Sequence, residues 1–196
     1  MEAYKTETAE RLLELDGFIE KYRHAEKFMA YCRQCPNYNS VWSCPPLSFD
    51  AEALLKRYKL IYLRCTKILL APEIIASADT ADKAKALGRR IIESVKTDVD
   101  NELLGLEKRV PRSLALSSGG CTLCGECTRK RNLPCRRPEK MRYSLDAFGI
   151  DLTAAAKDIF AVELQWSQGR LPEYFTLLSG LLTDTEIEVR LWETGP

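Results

Sequence analysis

Apolar residues recur along this chain with two different spacings, which predict strands in some segments and helices in others. Residues 59–70 are rich in β-branched and aromatic side chains, as expected for a buried strand. Across residues 84–103 apolar side chains recur every three or four positions, which predicts an amphipathic helix that Thr80 can cap. Helical spacing also runs through residues 12–22, so we expect the N-terminal segment to be helical.

Shorter patterns predict the remaining elements and the fold class. Helices are expected at residues 51–58 (capped by Ser48 or Asp50) and 152–160 (capped by Asp151), and strands at residues 112–116, 174–182 and 187–191. This mixture, with a C-terminal hairpin, predicts an α+β fold: a mainly antiparallel sheet with helices packed on one face. Two cysteine-rich loops would cover an edge or end of the sheet. At 196 residues the chain fits one domain, residues 1–196.

Charge and hydropathy argue against several classes of protein. The formal net charge of +1 gives no general attraction to nucleic acids or membranes. No apolar segment is long enough to span a membrane, and the charged N-terminal segment does not resemble a secretory signal. We therefore expect a cytoplasmic protein. Because thiols stay reduced in that compartment, clustered cysteines there indicate metal ligands rather than disulfides.

Four of the eight cysteines form a downstream group: Cys121, Cys124, Cys127 and Cys135. Thiols at such short gaps can point into one loop, and the fourth can return to the same site. The pattern is typical of a [4Fe–4S] cluster, whose iron corners are held by cysteine thiolates. Structural zinc also binds four cysteines, usually as two separated pairs. One [4Fe–4S] cluster is therefore the predicted cofactor, and zinc is the alternative.

Three further cysteines form an upstream group in a proline-rich loop: Cys32, Cys35 and Cys44. They can hold a second cluster, either with a ligand from elsewhere or with one metal position open to a substrate. Tyr38 and Trp42 are expected to shield this loop. Cys65 lies in the predicted strand at residues 59–70, among apolar neighbours, so we expect it in the core rather than at a metal.

Basic residues surround the last cysteine of the downstream group: Arg129, Lys130, Arg131, Arg136, Arg137, Lys140 and Arg142. They can offset the charge of an anionic cluster, or they can form a docking surface for an acidic partner. A redox partner protein is therefore expected. A membrane or a nucleic acid is not, because one basic loop without stacking aromatic residues is a weak nucleic-acid footprint.

Several motifs in this chain occur together in one known family. They are the upstream cysteines with Tyr38, Trp42 and Pro45-Pro46, the run Gly120 to Cys127, Cys135 with Arg136 and Pro138, and residues 144–152. Over nearly its full length the chain resembles a family of prokaryotic predicted metal-binding proteins of unknown function. The resemblance implies that the seven clustered cysteines are the metal ligands and leaves Cys65 outside the motif. It implies no particular reaction.

Together these observations predict a small cytoplasmic iron–sulfur protein that carries electrons or supports a redox partner. Two alternatives remain open. One is a redox enzyme with its substrate at an open iron site of the upstream group, and the other is a zinc-stabilised interaction module. Whether the protein is an enzyme is therefore left open by the sequence.

Overall fold

The computed structural model describes residues 3–189, and within this range the backbone forms one four-stranded sheet and six α-helices. The strands are β1 (Tyr4–Glu14), β2 (Leu60–Leu70), β3 (Leu114–Leu116) and β4 (Tyr174–Thr183). The helices are α1 (Leu15–Tyr22), α2 (Ala25–Gln34), α3 (Ala51–Leu55), α4 (Pro72–Ser77), α5 (Ala81–Arg109) and α6 (Leu152–Phe160). Two 3₁₀ turns, Thr128–Arg131 and Leu145–Phe148, lie between β3 and α6.

All pairs of neighbouring strands in the sheet are antiparallel, in the order β1-β2-β4-β3. β2 lies inside the sheet, where Cys65 pairs with Ala9 of β1 on one side and Leu178 of β4 on the other. The predicted α+β fold with a mainly antiparallel sheet is confirmed.

Helices cover both faces of the sheet, so the prediction that they pack on one face is wrong. On one face Ile61 and Leu63 of β2 pack in a core with α1 and α6. On the other face Tyr62 and Leu70 of β2 pack in a second core with α5. Successive residues of a strand point to opposite faces, and both sets are apolar in β2. Each face therefore needs its own cover.

The N-terminal segment is a strand where helical spacing predicts a helix. β1 pairs with β2 along its whole length, from Tyr4 opposite Leu70 to Glu14 opposite Leu60. The helix begins only at Leu15. The apolar spacing in residues 12–22 therefore spans a strand–helix junction. Pairing with a distant strand decides the structure here, and local spacing cannot report such a partner.

The predicted helix caps are present. The Asp50 carboxylate accepts hydrogen bonds from two backbone N–H groups at the start of α3. Thr80 caps the 29-residue α5 and Asp151 caps α6 in the same way. α3 ends at Leu55, three residues earlier than expected. These signals are local, so sequence reasoning reads them well.

The predicted C-terminal hairpin is not formed within residues 3–189. β4 is present as expected, but residues 184–189 have no strand structure. Residues 190 and 191, the end of the predicted last strand, lie outside the described residues. Across the described helices, none has the length and apolar character needed to cross a membrane.

Candidate metal centre

The side chains of the downstream group line one small cavity, as their spacing predicts. Its walls contain Cys121, Cys124, Cys127 and Cys135, together with Trp42, Leu123, Thr128, Arg136, Arg137 and Met141. All four cysteines are partly exposed. The fold therefore brings the four thiols to one place near the surface.

A compact turn returns the chain from Cys127 to Cys135. The 3₁₀ turn Thr128–Arg131 is followed by Asn132, whose positive φ of 54° reverses the backbone direction. The Asn132 N–H donates to the Arg129 carbonyl at 2.8 Å. The Thr128 hydroxyl donates to the Pro134 carbonyl at 2.8 Å. These bonds explain how a seven-residue gap still delivers the fourth thiol to the same cavity.

The upstream cysteines lie on and after the end of α2. Cys32 is in the last turn of the helix, and Cys35 is its C-cap residue, with its N–H bonded to the Cys32 carbonyl at 3.0 Å. Cys44 follows a short loop and is buried. The Asn39 N–H donates to the Pro45 carbonyl at 2.8 Å and closes this loop. Cys35 is exposed, so the group runs from the surface inward.

The charges around the upstream thiols identify Asp146 as a neighbour that sequence reasoning missed. The pKa of Cys44 is raised to about 12, mainly by burial; a hydrogen bond with Ser43 lowers it, and the charges of Asp146, Cys35 and Cys32 make smaller contributions that raise it. Burial is also the largest cause of the raised pKa of Cys32, followed by the charge of Asp146. The raised pKa values disfavour the thiolates of Cys32 and Cys44, and a bound cation would act in the opposite direction by favouring them.

The two cysteine loops are hydrogen-bonded to each other. The buried Ser43 hydroxyl, next to Cys44, accepts a bond from the Cys121 N–H at 2.8 Å. The Trp42 indole N–H donates to the Leu133 carbonyl at 3.2 Å. We call residues 32–46 and 119–138 together the two-loop unit.

Arg129 is the strongest link within the two-loop unit. Its side chain is 6% exposed and donates to the carbonyls of Cys44 at 2.7 Å and Val41 at 3.1 Å, and also to that of Pro46. The guanidinium carbon lies 4.9 Å from the centre of the Trp42 ring. One cation from the downstream loop thus binds three carbonyls of the upstream loop.

These contacts add to one expectation from the sequence and correct another. Trp42 comes from the upstream loop, and it also lines the cavity of the downstream thiols. Arg129 is a buried structural residue and does not belong to an exposed basic surface. Arg142 is also engaged, because its guanidinium pairs with Glu107 of α5 through two bonds of 2.5 and 2.7 Å.

Two glycines show why the downstream loop needs small residues. Gly119 has a positive φ of 62°, which disfavours any other residue. A side chain at Gly120 would approach the Asn37 side chain to 2.6 Å, so the two loops touch at this point. Gly125 has neither a positive φ nor a close neighbour, so its surroundings give no steric reason for a glycine there.

Cys65 is a core residue, as predicted. It is 0% exposed and packs in the core between the sheet and α1 and α6. Burial raises its pKa to about 12, partly offset by Lys67. The upstream group therefore has three cysteines in its loop, and the remaining cysteine of the chain is held in the sheet.

A family model of predicted metal-binding proteins, DUF2284, matches residues 19–182. The chain belongs to this family. The match extends from α1 to the end of β4 and includes both cysteine groups, so the resemblance drawn from the cysteine motifs is confirmed. The family description gives metal binding without naming the metal. No curated protein and no solved structure matches the chain.

In this DUF2284 protein a buried lysine lies behind the downstream loop. Lys96 of α5 is 4% exposed, and its ammonium donates to Asp100 at 2.5 Å and to Ser117. Burial and the neighbouring thiols Cys135 and Cys127 raise the pKa of Cys121, and the positive charge of Lys96 acts in the opposite direction. The signal in the sequence is slight: a lysine four residues before an aspartate on a long helix.

The thiols line their sites without converging on one point. Among residues 3–189, no three side chains of His, Cys, Asp or Glu are grouped closely enough to hold a single metal ion. The ligand chemistry of the downstream site is nevertheless uniform, because its candidate ligands are all sulfur atoms: four thiols and the thioether of Met141. Such a set fits an iron–sulfur cluster, and it also fits zinc.

Proposed function

We propose that this protein binds a [4Fe–4S] cluster through Cys121, Cys124, Cys127 and Cys135 and exchanges single electrons with a partner protein. The observation that carries the proposal is the cavity lined by all four thiols and, among residues 3–189, by no His, Asp or Glu side chain. A bound cluster supplies one-electron chemistry. The chain's own residues hold it, cover it and set the charge around it.

Groups next to the thiols are suited to stabilising added negative charge. The Arg137 backbone N–H donates to the Cys135 sulfur at 3.4 Å. The Leu123 backbone N–H and the Lys96 ammonium both lower the pKa of Cys121, against the larger effect of burial. Hydrogen bonds to ligand sulfurs and nearby positive charge favour the reduced state of a cluster.

The surface over the downstream group is suited to an acidic partner. Five of the seven basic residues are exposed: Lys130, Arg131, Arg136, Arg137 and Lys140. We call these five the basic collar. Leu123 and Leu133 lie within the same loop and are 41% and 48% exposed. Apolar contacts inside a charged rim allow fast association and fast release, because the charges steer the encounter.

The upstream group supports a second candidate function, a redox enzyme. It has three cysteines, and Cys65 is buried in the sheet instead of completing the set. A cluster held by Cys32, Cys35 and Cys44 alone would leave one iron open to a substrate. Asp146 is the carboxylate whose charge acts on both Cys32 and Cys44, so it is the side chain to test at that open position.

The test is anaerobic purification followed by quantitation of iron, acid-labile sulfide and zinc. We expect iron and sulfide in equal amounts, about four of each per cluster, and the broad visible absorption of thiolate-bound iron. Cys124→Ser should lose the downstream cluster, while the matched variant Cys65→Ala keeps the full metal content. A colourless protein containing zinc would overturn the proposal and favour the zinc-stabilised module.

A further inference from the structure

The geometry points to a second site in this protein: a cavity between α5 and the loop of residues 118–122 that binds a small aromatic anion. The cavity has a volume of about 760 Å³. Pockets of this size take small organic ligands. The site belongs to neither cysteine group, and its existence does not depend on which metal they hold.

Most of the cavity wall is apolar, and it includes two aromatic side chains. Ile92 lies on the α5 side, and Phe175 and Leu177 lie on β4. α5 can come close to Phe175 because Gly88 has no side chain: a Cβ there would lie 2.9 Å from the Phe175 ring. Trp166 also lines the cavity and is 70% exposed. An exposed tryptophan beside an apolar cavity is suited to stacking on a flat ring.

One part of the wall can receive a negative charge. Lys96 lines the cavity and is 4% exposed, so its charge is held in a poorly solvated position. Lys85 also lines the cavity and makes no ion pair with any residue in 3–189. Gly119 and Gly120 complete this part, and neither backbone N–H donates a hydrogen bond within the described part of the chain.

Acidic and basic side chains both line the cavity. Asp82 and Glu93 carry negative charge, and Lys85, Arg89 and Lys96 carry positive charge. Glu93 is paired with Arg89 at 2.7 Å. Lys96 is paired with Asp100, at 2.5 Å. With these two pairs counted, Lys85 and Asp82 remain, and their charges cancel. The preference for an anion therefore rests on Lys85 and on the free N–H groups of Gly119 and Gly120.

The loop of residues 118–122 separates this cavity from the downstream thiols. Gly119, Gly120 and Thr122 line the larger cavity, whereas Cys121 and Leu123 line the thiol cavity. A ligand in the larger cavity would therefore be one backbone thickness from Cys121. That proximity matters for function only if the downstream group holds a redox cluster, so this part rests on the proposed function.

Binding can be tested with 8-anilinonaphthalene-1-sulfonate, an aromatic sulfonate, titrated calorimetrically into the anaerobically purified protein. We expect saturable binding at one site. Ile92→Trp, which fills the cavity, should weaken binding at least tenfold, and Lys85→Glu should weaken it several-fold. The matched controls are Leu87→Trp and Lys108→Glu on the same helix, because neither residue lines the cavity. Both should bind as the unmodified protein does.

Other outcomes separate the two proposals. Binding that does not saturate, or that Ile92→Trp leaves unchanged, would overturn the proposed binding site, whatever metal the protein contains. N-phenyl-1-naphthylamine lacks the sulfonate, and equal affinity for it would overturn the preference for an anion. Cys124→Ser should still bind the sulfonate. If that variant also retains all its iron, the proposed cluster fails while the cavity site stands.

Discussion

The downstream cysteine group lies under exposed basic residues, whereas the upstream group faces a carboxylate and a helix end. The downstream thiols are all partly exposed, and the positive charge of Lys96 lowers the pKa of Cys121 against the larger effect of burial. Upstream, Cys44 is buried; burial is the main cause of its raised pKa, and the charge of Asp146 is a smaller one. The same ligand atom thus lies near a positive charge downstream and in a poorly solvated position beside a carboxylate upstream.

Under the proposed function, this difference would give the two groups different roles. Positive charge and exposure would favour rapid exchange of electrons with a partner at the downstream group. Negative charge and burial disfavour an anionic thiolate upstream, so a metal there has to supply the compensating charge. The contacts of Arg129 and Ser43 hold the two groups together, which makes their difference testable by single substitutions.

The largest effect is expected from Arg129→Ala, which removes the cation that joins the loops. Three upstream carbonyls lose a charged donor, and hydrogen bonds to charged groups contribute about 1.5–3 kcal/mol each. We expect the free energy of unfolding to fall by roughly 3–5 kcal/mol, with metal lost from both groups. Denaturant titration and metal quantitation measure the two effects.

Arg131→Ala is the control for that experiment, since Arg131 lies two residues away and is exposed. Its stability should stay within about 0.5 kcal/mol of the unmodified protein. Arg129→Lys should not restore stability, because an ammonium cannot reproduce the planar set of donors. Loss of metal from the downstream group alone would show that the upstream loop is independent of Arg129.

The contacts of Arg129 also show where sequence reasoning stops. The long helix α5, the buried strand β2 and the shared cavity of the downstream thiols follow from local spacing, and all are present. The roles of Arg129 and Trp42 are decided by residues more than 80 positions away. β1 is misjudged for the same reason. Spacing reports what one segment can do, and it carries no information about which distant segment will contact it.

The second largest effect is on the pH dependence of stability and concerns Cys65. This buried thiol lies outside both cysteine groups, so the two groups can be compared with it. Burial raises its pKa to about 12, above the ordinary value of 9.0. A thiol whose pKa is higher in the folded state stabilises the protein fully at pH values below its pKa in the unfolded state. This stabilisation is lost as the pH rises toward the pKa in the folded state. Above pH 9 each pH unit should therefore cost up to about 1.4 kcal/mol from this group.

Cys65→Ala should remove that part of the alkaline destabilisation, at the cost of a small cavity at every pH. The measurement is the free energy of unfolding between pH 8 and 10.5, compared between Cys65→Ala and the unmodified, metal-loaded protein. An equal slope in both proteins would mean that the Cys65 thiol does not titrate as its burial requires.

A comparable effect is expected from Lys96→Met, which removes the positive charge behind the downstream group. Asp100 and Ser117 lose their buried partner, and stability should fall by about 1–3 kcal/mol. The midpoint potential of the downstream cluster should also fall, because the Lys96 charge no longer stabilises the added electron. Redox titration of the visible absorption measures this shift. The control is Lys108→Glu at the far end of α5, which should leave the midpoint potential unchanged.

The smallest effect on stability, and the sharpest test of the contrast in charge, is Lys130→Glu combined with Arg131→Glu in the basic collar. Both side chains are exposed, so the free energy of unfolding should change by no more than about 0.5 kcal/mol and the metal content should not change. Electron transfer with an acidic flavoprotein should slow about tenfold at low salt, because repulsion replaces steering. The difference should shrink as ionic strength rises. Stopped-flow rates over a salt series give both quantities. If the double variant and the unmodified protein transfer electrons at equal rates at low salt, the docking surface lies elsewhere. The basic collar would then not distinguish the two cysteine groups in partner binding.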